Sequence, residues 1–234
     1  MPEQKVRNDT EKLRVVTIDG PSGVGKSTVS RRVAAELGFT YLDTGAMYRA
    51  VAVQVREEGV DPNDSISLEK LCQRLEISFQ QDGEKQRVIC QGKDVTEKIR
   101  ESEMGWLASV VSTREPVRRT MVDLQRKIGQ TAGIVAEGRD TGTVVFPGAP
   151  FKFYLDAQPM ERVRRRHQEL LDKGVQAAIG EVRKEVERRD QQDSSRQLAP
   201  LRPAPDAHII DSTGMEVGEI VRQMLTVIQG DKSR

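Results

Sequence analysis

The sequence predicts an α/β fold: a five-stranded parallel sheet covered by helices on both faces, interrupted by a small antiparallel insertion. Three observations carry this prediction. Short β-branched apolar runs alternate with segments of helical period. These runs are apolar at consecutive positions rather than at every second one, as in strands buried on both faces. The runs end at Asp, Glu or Gly, where loops begin.

The elements follow in order. Val15-Val16-Thr17-Ile18 is the first strand and ends at Asp19-Gly20. Val29, Val33 and Leu37 then recur on one helical face, and Gly38 offers a C-terminal stop. A second strand over 39–42 breaks at Asp43-Thr44-Gly45, and a helix is expected over 46–58, ending at Gly59. Residues 76–79 and 87–91 flank Gln81-Asp82-Gly83-Glu84, which reads as a hairpin turn. Gly92-Lys93-Asp94 reads as a second turn leading to Val95. The parallel pattern resumes with Ile134-Val135-Ala136, ending at Glu137-Gly138-Arg139-Asp140, then with 151–155 and 207–210. Val217, Ile220, Val221, Met224, Leu225 and Ile228 form one stripe of a last helix. In such a sheet ligands lie outside the carboxyl ends of the strands, so functional groups should gather there.

Composition narrows the function. The 234 residues carry 37 Lys+Arg against 36 Asp+Glu, a net charge of +1, so no global field draws the chain to nucleic acid or acidic membranes. No apolar run approaches the ~20 residues of a membrane span. Residues 1–13 are polar, lack a signal-peptide core and read as a flexible tail, so a cytoplasmic location is expected. Two cysteines make neither a disulfide framework nor a zinc site, and two histidines argue against His-based metal or triad chemistry.

Gly20-Pro21-Ser22-Gly23-Val24-Gly25-Lys26-Ser27, followed by Thr28, matches G-x-x-x-x-G-K-[ST] between a strand and a helix. Glycines let backbone N–H groups wrap phosphate oxygens, and the following helix turns its positive end to the anion. Lys26 can reach the β- and γ-phosphates, and the Ser27 hydroxyl can ligate Mg²⁺. The loop implies a nucleoside triphosphate. No guanine-reading N/T-K-x-D motif accompanies it.

Arginines recur beside carboxylates. Arg49 lies a turn beyond Asp43, and Arg139-Asp140 ends the third parallel strand. Arg162, Arg165 and Arg166 share a helical face, as would Arg189, Asp193 and Arg196 if helix runs through them. Each could be a surface ion pair. Together they suit a site that holds several phosphates, because guanidinium binds phosphate in a bidentate fork. Few aromatics are available to stack RNA bases. Open readings at this point are a small-acceptor kinase for CMP, UMP, AMP or a metabolite, a non-catalytic nucleotide switch, and a nucleic-acid-binding ATPase.

Four ordered blocks resemble bacterial cytidylate kinases, within the P-loop nucleoside monophosphate kinases: I-D-G-P-S-G-V-G-K-S-T (18–28), L-D-T-G-A-M-Y-R (42–49), E-G-R-D-T-G-T-V-V-F-P (137–147) and R-D-x-x-D-x-x-R-x-x-A-P-L (189–201). The resemblance covers 14–228 and includes the insertion. It implies one domain over 14–230, with a core of 14–43, 114–158 and 197–230, an acceptor-binding region over 44–113 and a lid with its following helix over 159–196. It implies ATP-dependent phosphorylation of CMP and dCMP, with Mg²⁺, by a monomer that binds neither nucleic acid nor membrane. Thr44, Arg49, Arg139 and Arg196 would surround the acceptor phosphate. Ser109, Arg118 and Asp140 would read the cytosine edge, and Arg189 and Asp193 would contact the sugar hydroxyls. Arg162, Arg165 and Arg166 would close over the donor phosphates, with Lys26, Arg139, Arg162 and Arg166 catalytic. Pro147-Gly148 and Asp172-Lys173-Gly174 are candidate flexible points. Trp106, Cys72 and Cys90 read as packing residues, and Tyr48 as either packing or acceptor-facing.

Overall fold

A computed structural model describes residues 14–82 and 85–230. The expected tail over 1–13 and the tip of the first hairpin lie outside the described residues. Five strands form one parallel sheet in the order β2-β6-β1-β7-β8: β1 (Val15–Asp19), β2 (Thr40–Asp43), β6 (Ile134–Gly138), β7 (Phe151–Asp156) and β8 (His208–Asp211). The register is continuous, with Asp19 opposite both Gly138 and Tyr154. Strand β1 is therefore central. The chain leaves it toward β2 on one side and later fills β7 and β8 on the other. This reversal opens a crevice at the carboxyl ends of β1 and β6.

The central strands β1 and β6 are largely apolar on both faces because both faces are covered. Val15, Ile134 and Ala136 point into one core layer, with α2 (Thr44–Glu57) and α5 (Glu115–Thr131). Val16, Ile18 and Val135 point into the other, with α1 (Lys26–Leu37) and α8 (Val217–Gly230). Each such buried Val or Ile contributes about 1.5–3 kcal/mol. The stripe expected on the last helix buries Ile220, Val221, Met224 and Ile228.

Helix α2 begins at Thr44, two residues before the expected start. Asp43 is the reason: its carboxylate accepts from the Ala46 N–H at 2.8 Å and caps the first turn. Helix α3 (Ser65–Gln73) is capped in the same way by Asp64.

The insertion is a three-stranded antiparallel sheet of β3 (Ile77–Asp82), β4 (Lys85–Cys90) and β5 (Lys93–Asp94). The second turn lies at Gln91-Gly92, with φ of 51° and 72°, one position earlier than expected. Two left-handed residues give the tight twist a two-residue hairpin needs, which frees Lys93 and Asp94 to pair with Cys90 and Ile89. A 3₁₀ turn (Lys98–Arg100) and α4 (Ser102–Val111) follow. The insertion shares the first core layer: Leu68, Leu71, Cys90 and Met104 join Val15 and Ile134 in one cluster. Cys72 and Cys90 are buried free thiols, as packing residues should be.

The last two helices before β8 are α6 (Pro159–Asp172) and α7 (Ile179–Ser194). They pack on each other through a small separate cluster of Val163, Val182 and Val186. Helix α7 stops at Ser194, so Arg196 lies beyond the helix that was expected to carry it. Among the described residues, no helix is long and apolar enough to cross a membrane.

Candidate active site

The phosphate loop leaves β1 at Asp19 and enters α1 at Lys26. Two of its glycines are sterically fixed. Gly20 has φ of 153° and Gly23 of 74°. A Cβ on Gly20 would lie 2.1 Å from the Leu155 carbonyl oxygen, and one on Gly23 would lie 2.7 Å from that of Arg162. Any other residue would push the loop off β7 or α6.

Lys26 is buried and donates to the Pro21 carbonyl at 2.7 Å. Burial, then the charge of Arg139, pulls its ammonium well below the usual lysine range. An anion in the loop would relieve both effects. Beside it, Ser27 Oγ donates to Glu137 Oε1 at 2.7 Å, and Tyr41 donates to the same oxygen at 2.8 Å. Glu137 Oε2 is buried without a partner. Burial, then the nearby charge of Asp43, raises the Glu137 carboxyl. A carboxylate with one idle oxygen next to a hydroxyl fits a divalent cation that takes its remaining ligands from phosphates and water. No cluster of three or more His, Cys, Asp or Glu suited to a metal occurs among the described residues.

Across the crevice the groups are side chains from several elements. Arg139 follows β6; its Nε donates to Asp193 of α7 at 2.6 Å, and its Nη1 donates to the Gly138 carbonyl at 3.2 Å. Arg196 donates to the other Asp193 oxygen and, at 3.3 Å, to Ser109 Oγ of α4. Burial works against ionisation of Asp193, but Arg139, Arg196 and Arg189 together hold its carboxyl below the usual range. Arg118 of α5 forms a buried ion pair with Asp140. Thr44 Oγ1 donates to the Glu137 carbonyl at 2.6 Å, and Arg49 lies 3.5 Å from Asp43. Arg189 has a buried Nε with no partner. Burial, followed by the charge of Arg139, lowers its guanidinium to about 10. A buried cation crowded by other cations calls for an anion.

These groups line one cleft of about 1580 Å³, larger than the usual 300–1,000 Å³ of a single-ligand pocket. All the site residues expected from sequence line it except Gly20, Pro21 and Arg162. Arg162 lies behind the loop rather than on the cleft wall. Its guanidinium is held by the Ala157 carbonyl at 3.2 Å, the Ser22 carbonyl at 3.3 Å and the Asp190 carboxylate. It braces the back of the loop. Arg165 is likewise tied to Val24 and Ser212, while Arg166 pairs with Glu169 and Glu185 at the cleft wall.

Sequence reasoning missed several residues. Glu137 was quoted in a motif but given no role, although its place at the end of the strand beside β1 was a usable signal. Asp190 accepts from the Ser22 N–H at 3.2 Å and pairs with Arg162, tying α7 to the loop. Asp19 is buried and accepts from Thr141 N at 2.9 Å, Thr141 Oγ1 at 2.8 Å and Gly142 N at 2.8 Å. It thereby anchors the π-helical turn Thr141–Val145 that follows Arg139 and Asp140. Burial raises its carboxyl to about 6. Tyr48 lines the cleft and also packs on the first core layer. Trp106 departs from its expectation as a packing residue: it is 51% exposed at the cleft wall.

The family model described as "Cytidylate kinase" matches residues 16–230. Cytidylate kinase of Citrifermentans bemidjiense is 46% identical, covering 93% of this chain and 96% of that protein. That of Syntrophotalea carbinolica is 47% identical, covering 92% and 91%. A solved structure of an uncharacterized protein from Eubacterium ventriosum superimposes with a TM-score of 0.52 at 9% identity, covering 92% of this chain and 98% of that one, and so shares the fold. The four motif blocks, the inserted antiparallel sheet and matches that span nearly the whole chain lead to one assignment: the chain belongs to the cytidylate kinase family.

Proposed function

We propose that the protein catalyses ATP + CMP → ADP + CDP, with dCMP as a second acceptor. The observation that carries this reading is a second cluster of cations, Arg49, Arg139 and Arg196, in the same cleft as the phosphate loop. A loop for one set of phosphates and a cation cluster for another are what transfer between two phosphorylated molecules requires.

The loop holds the donor phosphates, with Lys26 against the transferring group. Thr44, Arg49, Arg139 and Arg196 take the acceptor phosphate; Ser109, Arg118 and Asp140 read the cytosine edge; Arg189 and Asp193 contact the sugar. The acceptor oxygen is already anionic near neutral pH, so no strong general base is needed. The γ-phosphorus–oxygen bond to ADP breaks as the bond to the CMP phosphate oxygen forms, in line. Lys26 and Arg139 neutralise the charge that spreads over the transferring group. Arg166 closes from the α6–α7 side, which acts as the lid and keeps water out. Ser27 and Glu137 would hold Mg²⁺, which would supply neutralisation of donor phosphate charge. The reading includes a cytoplasmic monomer that binds no nucleic acid.

An assay of ADP release with ATP and Mg²⁺, comparing CMP, dCMP, UMP and AMP, tests the proposal. Strong turnover with CMP and dCMP and little with AMP is expected. A different preferred acceptor would discard the roles given to Ser109, Arg118 and Asp140.

A further inference from the structure

Trp106 is the single tryptophan of the chain. It lies on α4, where its apolar neighbours Met104, Leu107, Ala108 and Val111 are buried while the indole is 51% exposed. The packing of this helix is thus complete without it. Trp106 and Ser109 are one turn apart, and both line the cleft. Ser109 accepts from Arg196 there, beside the buried Arg118–Asp140 pair. Gly105 lines the cleft next to the indole, and nothing lies within 4 Å of where its Cβ would be. The half-exposed indole and the groups suited to reading a base edge thus line the same cleft.

We propose that Trp106 binds the acceptor nucleotide by stacking its indole face on the base. This deepens the proposed CMP reading and rests on it. The division of labour is chemical. Ser109, Arg118 and Asp140 present donors and acceptors to the rim of the base, which distinguishes one base from another. An aromatic face contacts the ring plane, which every base possesses, so it adds affinity without selectivity.

The test combines kinetics with the fluorescence of the only tryptophan. In the wild-type protein, CMP added without ATP should quench or shift the emission saturably, while ATP alone should change it little. Trp106→Ala should raise the KM for CMP, dCMP and UMP together, by roughly 5- to 100-fold, and leave the CMP:UMP preference and the KM for ATP within about twofold. Trp106→Phe should recover most of the affinity. Inhibition by ribose 5-phosphate, which has the phosphate and sugar but no base, should be equal in wild type and Trp106→Ala.

Wild-type KM for CMP in Trp106→Ala would overturn the proposal. So would equal loss of ribose 5-phosphate binding, which would make the effect structural. Emission that responds to ATP and not to CMP would overturn it too, by placing the indole against the donor side. Turnover with another nucleotide in place of CMP would overturn the reaction reading instead, and the same titration with that nucleotide would then decide the role of Trp106.

Discussion

The two halves of the cleft are built differently. The donor half is one contiguous segment whose anion-binding groups are largely backbone, shaped by Gly20, Gly23 and Gly25 and braced from behind by Arg162 and Asp190. The acceptor half is assembled from side chains of α2, α4, α5, α7 and the segment after β6. The donor half is therefore specified by local sequence. The acceptor half exists only once the chain has folded and its carboxylates have paired with its arginines. Asp193 shows the difference: one carboxylate orients Arg196, three residues further on, and Arg139, 54 residues away in the chain.

This contrast can be broken at several points. The largest effect is expected for Arg139→Ala: a fall in kcat on the order of 10³, with ATP binding changed less than about threefold. Equal losses in turnover and in directly measured ATP affinity would place Arg139 on the donor side. Arg118→Met should act on stability and recognition together. It leaves Asp140 as an unpaired buried charge, at a cost of about 3 kcal/mol in denaturant unfolding. Adding Asp140→Asn should restore most of that stability but not the preference for CMP over UMP. A double variant that keeps the preference would remove the pair from base reading.

Asp19 sharpens the comparison because it joins the halves: it precedes the loop and anchors the turn after Asp140. Its carboxyl rises from 3.8 to about 6, so the folded state binds the proton more tightly than the unfolded chain. Its contribution to stability is thus complete below about pH 4 and lost as the pH rises past 6, by about 3 kcal/mol. Asp19→Asn should flatten that part of the stability profile, and an unchanged slope would show that the group titrates normally. The smallest effect is expected at the exposed Arg183–Glu187 pair, where Arg183→Ala should shift Tm by no more than about 1 °C and leave both KM values unchanged.

Much of this was legible before folding was considered. Strands buried on both faces read as continuous apolar runs, and the same pattern also found the edge strand β8, although Ile209 is exposed there. The phosphate loop was legible because its chemistry lies within eight adjacent residues. The gathering of arginines was legible only as a pattern of types, since periodicity says which residues share a helix face but not which carboxylate they meet. Arg162 shows the limit: its spacing with Arg166 puts both on α6, yet one turn of axial position decides that Arg162 meets Asp190 and the loop while Arg166 meets the cleft. Trp106 shows another. A lone aromatic among apolar neighbours reads as core, and only the burial of those neighbours on the opposite face reveals that it is spare. The start of α2 shifted because an Asp before Thr-Gly was taken for a loop when it was a cap.

The separate small cluster under α6 and α7 has a consequence for how the molecule comes apart. Most of the chain, insertion included, shares two large apolar layers, so its amides should exchange with solvent only when the whole structure opens. The α6–α7 pair is held together by Val163, Val182 and Val186, with Leu170 and Ala177 beside them, and joined to the rest largely through ion pairs and hydrogen bonds. It should therefore open as a local cooperative unit at low free energy. Its amides should exchange first, and proteolytic nicking should begin at the connection around Gly174. A ligand that bridges the cleft should slow both, so occupancy of the cleft would also set how long the protein survives a protease.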